Sequence, residues 1–304
     1  MVYGALLYSY RNIRLGRLYD YDMEPIVEKI NGAARPFFLK TCNRLELYCD
    51  SDSKQSLEHC LSDVKRTNER SKPNVGEILF DDKVVSHVFR VASGMDSAIL
   101  GEKEIIGQIR SALNSYRALA DGSKQLICLF ENALRVGRKI RREIDIGDNS
   151  GLYGAVTSHI SSSYRAGDKV AIVGSGNVIK GVLYDMKETG LSINATIFSR
   201  NTKKSAALAE LFGLNYSDFN LSKIRNCDIV ISAIKGGNYT RLSGPRLIID
   251  LSVPIAFSGD NVIDLEYVIK EISASSVTVT NISAAEKIIL AETAHFLDKI
   301  AYIR

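Results

Sequence analysis

The sequence predicts two domains of different class. An α+β domain with a helical second half spans residues 1–146, an α/β domain with a parallel sheet spans 147–282, and a short C-terminal helix follows at 283–304. Three observations predict this. Before residue 144, short strands give way to long helical stripes. After residue 154, strand-like runs alternate with helical stretches, the pattern of a parallel sheet. Between them, residues 144–154 (IDIGDNSGLYG) are rich in Gly, Asp, Asn and Ser and have no periodicity, which marks a boundary, with 147–154 a candidate hinge. A length of 304 residues suits two cores better than one.

Taken in order, residues 2–10 read as a strand, 24–31 as a helix, and the runs on either side of Cys42 as two paired strands. Along the second of these, Leu45, Leu47 and Cys49 share one face and Glu46, Tyr48 and Asp50 the other. Helical spacing then sets in. Val84, Val85, Val88, Phe89 and Ala92 form one stripe, and Ile105, Ile106, Ile109, Ala112, Leu113 and Tyr116 a second. A third helix over 123–143 turns Leu126, Phe130, Ala133, Leu134 and Ile140 inward and carries Arg135, Arg138, Lys139, Arg141 and Arg142 elsewhere on its surface. That basic cluster reads as a solvated face, or as a contact for phosphates. In the second domain, strands are expected at 169–173, 195–199, 228–233 and 246–251, with helices after Asn177 and Asn201. The last 22 residues form an amphipathic helix with Ile289, Phe296 and Ile300 on its apolar side.

Composition narrows the function. Hydrophobic content of 45% and charged content of 24% are ordinary for a soluble chain, and no window has the run of about 18 apolar residues that a membrane span needs. The N-terminus lacks the pattern of a secretory signal, so a cytoplasmic protein without a membrane role is expected. A net charge of +4 is too mild to announce a nucleic-acid binder, although it leaves room for a local basic patch. Cys42, Cys49, Cys60, Cys128 and Cys227 are scattered without a C-x-x-C pair, and His59, His87, His159 and His295 without an H-x-x-x-H pair. Reduced thiols and no protein-bound metal are expected.

Two stretches carry chemistry. In KTCNRLELYCD (40–50), Cys42 sits at the break between two extended runs, flanked by Lys40 and Arg44, whose charges favour a thiolate. A cysteine kept for packing alone prefers apolar neighbours. In KVAIVGSGNVIKG (169–181), a buried strand runs straight into Gly174, Ser175 and Gly176 and then into a helix carrying Asn177, Val178 and Ile179. This is a Rossmann-like nucleotide turn: the first glycine permits the turn, the second admits a pyrophosphate, and the helix N-terminus faces the anion. Ile179 stands at the third glycine's position, and Gly181 falls two positions later. A strand-to-helix turn that binds nothing is the plainer reading of the same motif. At the end of the second strand, Ser199 and Arg200 replace the acidic residue of an NAD site and suit a 2′-phosphate, which favours NADPH and hydride transfer. A nucleophilic cysteine paired with NADPH points to attack on an acyl carbon followed by reduction to an aldehyde.

The runs TCNRLE (41–46) and HVFRVASGMDSAILGE (87–102), the Gly107-Gln108 pair, the GSGN turn and the SRNT segment (199–202) occur together and in one order. In this they resemble the glutamyl-tRNA reductase family. The resemblance implies NADPH-dependent reduction of glutamyl-tRNA(Glu) to glutamate-1-semialdehyde through a thioester on Cys42, the entry to tetrapyrrole (porphyrin) synthesis. It implies that His87 assists the chemistry at the carbonyl, and that Thr41, Asn43, Arg44, Ser97, Glu102, Lys103, Glu104 and Gln108 bind the glutamyl group. Arg44 would clamp its carboxylate and Glu102 meet its ammonium. Lys103 and Glu104 stand where the family commonly has Pro and Gln, and no Arg follows Pro254. The resemblance also suggests transfer of product to glutamate-1-semialdehyde aminomutase. Residues 283–304 would be a shortened remnant of the family's dimerisation domain, leaving a homodimer open.

Each residue also has a bland reading. His87 could be a solvated histidine, Ser97 a turn residue, Gln108 a surface amide and Glu102 a charge on the helix macrodipole. Two other classes also remain open: a degenerate homologue that binds NADPH or tRNA without turnover, and an NADP-dependent dehydrogenase of shikimate-dehydrogenase type.

Overall fold

The computed structural model describes residues 1–23, 36–41, 43–70, 72–146, 150–234, 240–274 and 279–302. The expected helix at 24–31 and Cys42 lie outside these residues. The elements run β1 (Val2–Ser9), a 3-10 turn (Leu15–Asp20), β2 (Phe37–Lys40), β3 (Arg44–Ser51), α1 (Lys54–Asn68), β4 (Glu77–Phe80), α2 (Asp82–Ser93), α3 (Glu104–Arg117) and α4 (Lys124–Glu143). They continue as α5 (Ser150–Ser163), β5 (Val170–Val173), α6 (Asn177–Glu188), β6 (Ala195–Ser199), α7 (Thr202–Phe212), β7 (Asn215–Asp218), α8 (Leu221–Arg225) and β8 (Ile229–Ser232). The chain then gives β9 (Thr240–Arg241), β10 (Leu247–Asp250), β11 (Phe257–Ser258), β12 (Val262–Asp264), α9 (Leu265–Ala274) and α10 (Val279–Tyr302). These elements fall into two compact units: residues 1–148 together with 277–304, and residues 149–276.

The first unit is built on an antiparallel sheet of order β2-β3-β1-β4. The central pair β1 and β3 runs in register from Val2 opposite Ser51 to Ser9 opposite Arg44. Because β3 lies inside the sheet and both faces are covered, its alternation divides two cores rather than core from solvent. Leu45, Leu47 and Cys49 pack with Leu57, Leu61 and Val64 of α1, whereas Tyr48 joins Phe37, Leu39 and the apolar stripes of α2, α3 and α4. Ser123 starts α4 by accepting hydrogen bonds from the backbone N–H groups of Gln125 and Leu126, a side-chain N-cap.

The last helix completes this unit. Ala285, Ile289 and Phe296 of α10 are buried in the helical core, with the Phe296 ring 6.3 Å from that of Tyr3 and 6.0 Å from that of Phe89. On its flank, Glu292 accepts from Arg135 at 2.8 Å and Lys139 at 2.9 Å. Two members of the basic cluster on α4 are thus partners of α10 rather than a free solvated face.

The second unit is a parallel sheet of order β12-β10-β8-β5-β6-β7. Strand connections leave β5 first to one side, toward β6 and β7, and then to the other, toward β8, β10 and β12. That makes a doubly wound, Rossmann-like sheet whose order reverses at β5. Helix α5 begins at Ser150, so Gly151 and Gly154, expected in a loop, are helical. The small residue has a packing use: a Cβ on Gly151 would lie 3.2 Å from Ile272 of α9. Asp250, fully buried at the end of β10, accepts from the backbone N–H groups of Ser252, Ala256 and Phe257 and ties down the loop that follows. Among the described residues, no helix is long and apolar enough to cross a membrane.

Candidate functional site

The hairpin joining β2 to β3 supplies one side of the site. Its turn is held by the Thr41 N–H donating to the Arg44 carbonyl at 2.9 Å, and by Thr41 Oγ1 accepting from the Asn43 N–H at 3.1 Å. Arg44, the first residue of β3, is wholly buried. Its Nη1 donates to Glu46 Oε1 at 2.9 Å and reaches Asp96 Oδ2 at 3.4 Å, while Nη2 donates to the Asp96 carbonyl. The sequence suggested that Arg44 would clamp a substrate carboxylate; the structure gives Nη1 to two internal carboxylates and Nη2 to a backbone carbonyl, and leaves Nε without a hydrogen-bond partner among the described residues. The Arg44 charge is therefore balanced within the protein, while Lys40, the other flanking cation, is exposed.

His87, on α2, enters the same network. Its Nε2 lies 3.0 Å from Glu46 Oε1 and its Nδ1 lies 3.7 Å from Asp96 Oδ2. The Tyr48 hydroxyl donates to the second Glu46 oxygen at 2.6 Å, and Arg11 donates to Asp96 from the outside. Burial alone pushes the Glu46 carboxyl up, but the Arg44 guanidinium and His87 bring it down to about 2. The result is a buried, ionised carboxylate against one edge of an imidazole. Its partner acid Asp96 stands against the other edge, so the ring orientation is determined from both sides.

Glu46, His87 and Asp96 each place a ligand atom within 4.8 Å of the others, a spacing a metal ion could use. The guanidinium already bridges the two carboxylates, so a cation occupies that position as part of the chain. No sequence spacing announces this cluster, because its members come from β3, α2 and the loop after α2.

That loop, residues 94–103, supplies the other side. Ser97 is buried, with no hydrogen-bond partner for its Oγ among the described residues. Glu102 is buried and accepts from Asn43 Nδ2 at 3.1 Å, joining the loop to the hairpin. Burial, reinforced by Glu104, raises the Glu102 carboxyl above the ordinary range. Lys103 is exposed, and Glu104 opens α3 with Gln108 one turn later, both half-buried. The structure thus gathers Thr41, Asn43, Arg44, His87, Ser97 and Glu102. Glu46, Tyr48, Asp96 and Arg11 complete the gathering and were not singled out by the sequence, except that a polar face alternating with an apolar one on β3 could have flagged Glu46 and Tyr48.

In the second unit, the turn after β5 has the geometry its glycines suggest. Gly174 has φ +114°, and a Cβ there would meet the Ala233 carbonyl oxygen at 2.7 Å. Gly176 is exposed with open space where a Cβ would stand, and α6 begins at Asn177 without a side-chain cap. Bare backbone N–H groups at a helix N-terminus form an anion site. Ile179 is buried in the core, and the close helix packing normally served by a third glycine falls to Gly181, where a Cβ would lie 2.2 Å from the Tyr153 ring of α5. Val178 is half-buried on the first turn of α6. At the end of β6, Ser199 Oγ lies 3.2 Å from Ser175 Oγ and accepts from the Asn201 N–H, and Arg200 is exposed.

Comparison with known proteins agrees on both halves. Residues 18–144 match the family model for the N-terminal domain of glutamyl-tRNA(Glu) reductase, and residues 169–253 match that for coenzyme F420-dependent NADP oxidoreductase. Over 307 residues the chain is 32% identical to the glutamyl-tRNA reductase of Sulfurisphaera tokodaii, spanning 98% of this chain and 74% of that protein. Over 275 residues it is 34% identical to that of Sulfolobus acidocaldarius, spanning 87% of this chain and 66% of the relative. A solved structure, glutamyl-tRNA reductase from Methanopyrus kandleri, shares the fold with a TM-score of 0.56 at 20% identity, over 99% of this chain and 81% of that one.

Proposed function

The chain belongs to the glutamyl-tRNA reductase family of oxidoreductases, and from that membership we propose that it reduces glutamyl-tRNA(Glu) to glutamate-1-semialdehyde with NADPH, the first committed step of tetrapyrrole synthesis. The observation that carries the reading is the buried Arg44–Glu46–His87–Asp96 network, which joins the TCNR hairpin to α2 and the 94–103 loop. A solvated histidine and a turn serine would need no such assembly.

In this reading the Cys42 thiolate attacks the glutamyl ester carbon. The C–O bond to tRNA breaks, the tRNA hydroxyl takes a proton, and a thioester forms. When bound, NADPH would supply the hydride to the thioester carbon, and breaking of the C–S bond would release the aldehyde and return the sulfur as thiolate. His87, held between Glu46 and Asp96, delivers the proton to the leaving oxygen and is reprotonated from solvent. Glu102 and Ser97 Oγ receive the glutamyl group, with Thr41, Asn43, Lys103, Glu104 and Gln108 around it. Arg44 organises the site through Glu46 and Asp96.

The second unit fits a dinucleotide, because the open face at Gly176 and the uncapped start of α6 leave room and donors for a pyrophosphate. Gly174, Ser175, Gly176, Asn177, Val178 and Ile179 form that turn. Ser199 and the exposed Arg200 favour the 2′-phosphate of NADPH over the bare ribose of NADH. With a charged tRNA as substrate, the reaction belongs in the cytoplasm. The semialdehyde product would pass to an aminomutase.

The test is incubation with radiolabelled glutamyl-tRNA, with and without NADPH, comparing wild type with Cys42→Ser. Expected are a covalent label without NADPH, semialdehyde with it, and neither in the variant. Folded wild-type protein that gives no label and no aldehyde would sink the reading.

A further inference from the structure

Arg141 differs from its neighbours on α4. Arg135 and Lys139 pair with Glu292, and Arg142 pairs with Glu143. Arg141 instead gives its charged donors to two neutral backbone groups: Nη1 donates to the Gly101 carbonyl at 2.8 Å and Nη2 to the Glu102 carbonyl at 2.5 Å. Those carbonyls lie at the neck of the 94–103 loop. The loop leaves α2 through a Schellman turn, with Gly94 N–H bonded to the Val91 carbonyl and Met95 N–H to the Arg90 carbonyl. It closes on itself where the Gly101 N–H donates to the Gly94 carbonyl at 3.0 Å.

Both neck residues must be glycine. Gly94 has φ +83° and Gly101 φ +76°, and a Cβ on Gly94 would lie 2.7 Å from Arg141 Nη2 and 3.1 Å from Gly101. The guanidinium is seated in the space the missing side chain leaves. Every site residue on this side hangs from that neck: Asp96, which holds Arg44 and His87; Ser97; and Glu102, which meets Asn43 and whose own carbonyl Arg141 grips. A flat fork can hold two carbonyls at once, and an ammonium cannot reproduce that geometry.

We propose that Arg141 is a positioning residue: its guanidinium locks the neck of the 94–103 loop and so fixes Asp96, Ser97 and Glu102 for recognition of the glutamyl end of the substrate. The recognition half rests on the function proposed above; the clamp itself does not.

The experiment compares full-length wild type, Arg141→Met and Arg141→Lys, first by amide hydrogen exchange without substrate and then by steady-state kinetics. In Arg141→Met, residues 94–103 should exchange on the order of tenfold faster, with β1 and β3 unchanged. The KM for glutamyl-tRNA should rise about tenfold, kcat should fall by less than that because Asp96 also orients His87, and the affinity for NADPH should hold. Arg141→Lys should fall between, and it serves in place of the Met variant if that one does not fold. Unchanged exchange at 94–103, or acceleration spread evenly through the unit, would overturn the clamp. Faster loop exchange with an unchanged KM would leave a scaffold contact and overturn the positioning role. A wild type that does not reduce glutamyl-tRNA would remove the recognition half, while exchange still decides the clamp.

Discussion

Glu46 holds a full negative charge where no water reaches, and Arg44, His87 and Tyr48 make that tolerable. Removing one partner of a buried pair leaves the other charge uncompensated, so Glu46→Gln should lower unfolding free energy by about 3 kcal/mol in a denaturant titration. His87→Gln, at the edge of the same cluster, should cost far less stability but reduce kcat by roughly 10²-fold or more, the scale of lost proton transfer. Equal stability losses in both would mean that His87 is only a packing residue. Protonation offers a second check. Because the folded carboxyl of Glu46 is depressed to about 2 from an ordinary 4.5, its contribution is complete above 4.5 and is lost as pH falls toward 2. Asp50 has the opposite sign: burial raises its carboxyl, so its ionisation works against folding as pH rises through the folded value. Asp50→Asn should therefore flatten a loss of stability with rising pH, and Glu46→Gln a loss with falling pH. At this scale the sequence was legible only in part. Cationic neighbours and a family-like motif marked Arg44 and His87, but alternation along β3 cannot distinguish a solvent face from a second core. Glu46 and Asp96 became visible only when the helices closed over that face.

Helix α4 can carry Arg141 to the loop neck only because it lies unusually close to α2. At their crossing, a Cβ on Gly137 would come within 2.4 Å of the Ala92 carbonyl oxygen, a backbone atom with no freedom to yield. Gly137→Ala should therefore cost roughly 1–3 kcal/mol despite Ala's better helix propensity, and push the two helices apart. A melting temperature that rises in this variant would show the helices to be further apart than described. The stripes forming α2, α3 and α4 were readable from periodicity, and each helix ends within three residues of where the apolar spacing stops. Close approach was not readable, because a glycine inside a helical pattern looks like a weak point until its neighbour is known. The nucleotide turn repeats the lesson. Ile179 looked like a damaged motif, whereas the helix-packing glycine had moved to Gly181 against Tyr153, on a helix that the Gly-rich boundary segment concealed.

The whole chain leaves its first unit at about residue 148, folds a second and returns at about 277 to finish the first. Periodicity marked the terminal helix but not its destination, since an apolar stripe does not name the surface it covers. The return stroke makes the first unit depend on residues that follow the second unit in sequence. Its sheet and helices α1 to α4 are complete by Glu143, yet the surface around Tyr3 and Phe89 is completed only by Phe296. The second unit has its six-stranded sheet intact between 149 and 276 and needs no such completion. Phe296→Ala removes a fully packed ring, a change that typically costs about 3–5 kcal/mol, and that loss should fall on the first unit alone. Native-state hydrogen exchange can read the two separately. Amides of β1, β3 and α4 should lose protection in Phe296→Ala, while those of β5, β6 and β8 keep theirs. Equal loss in both sets would mean that the units unfold together, and the separate stability assigned to the nucleotide-binding sheet would be wrong.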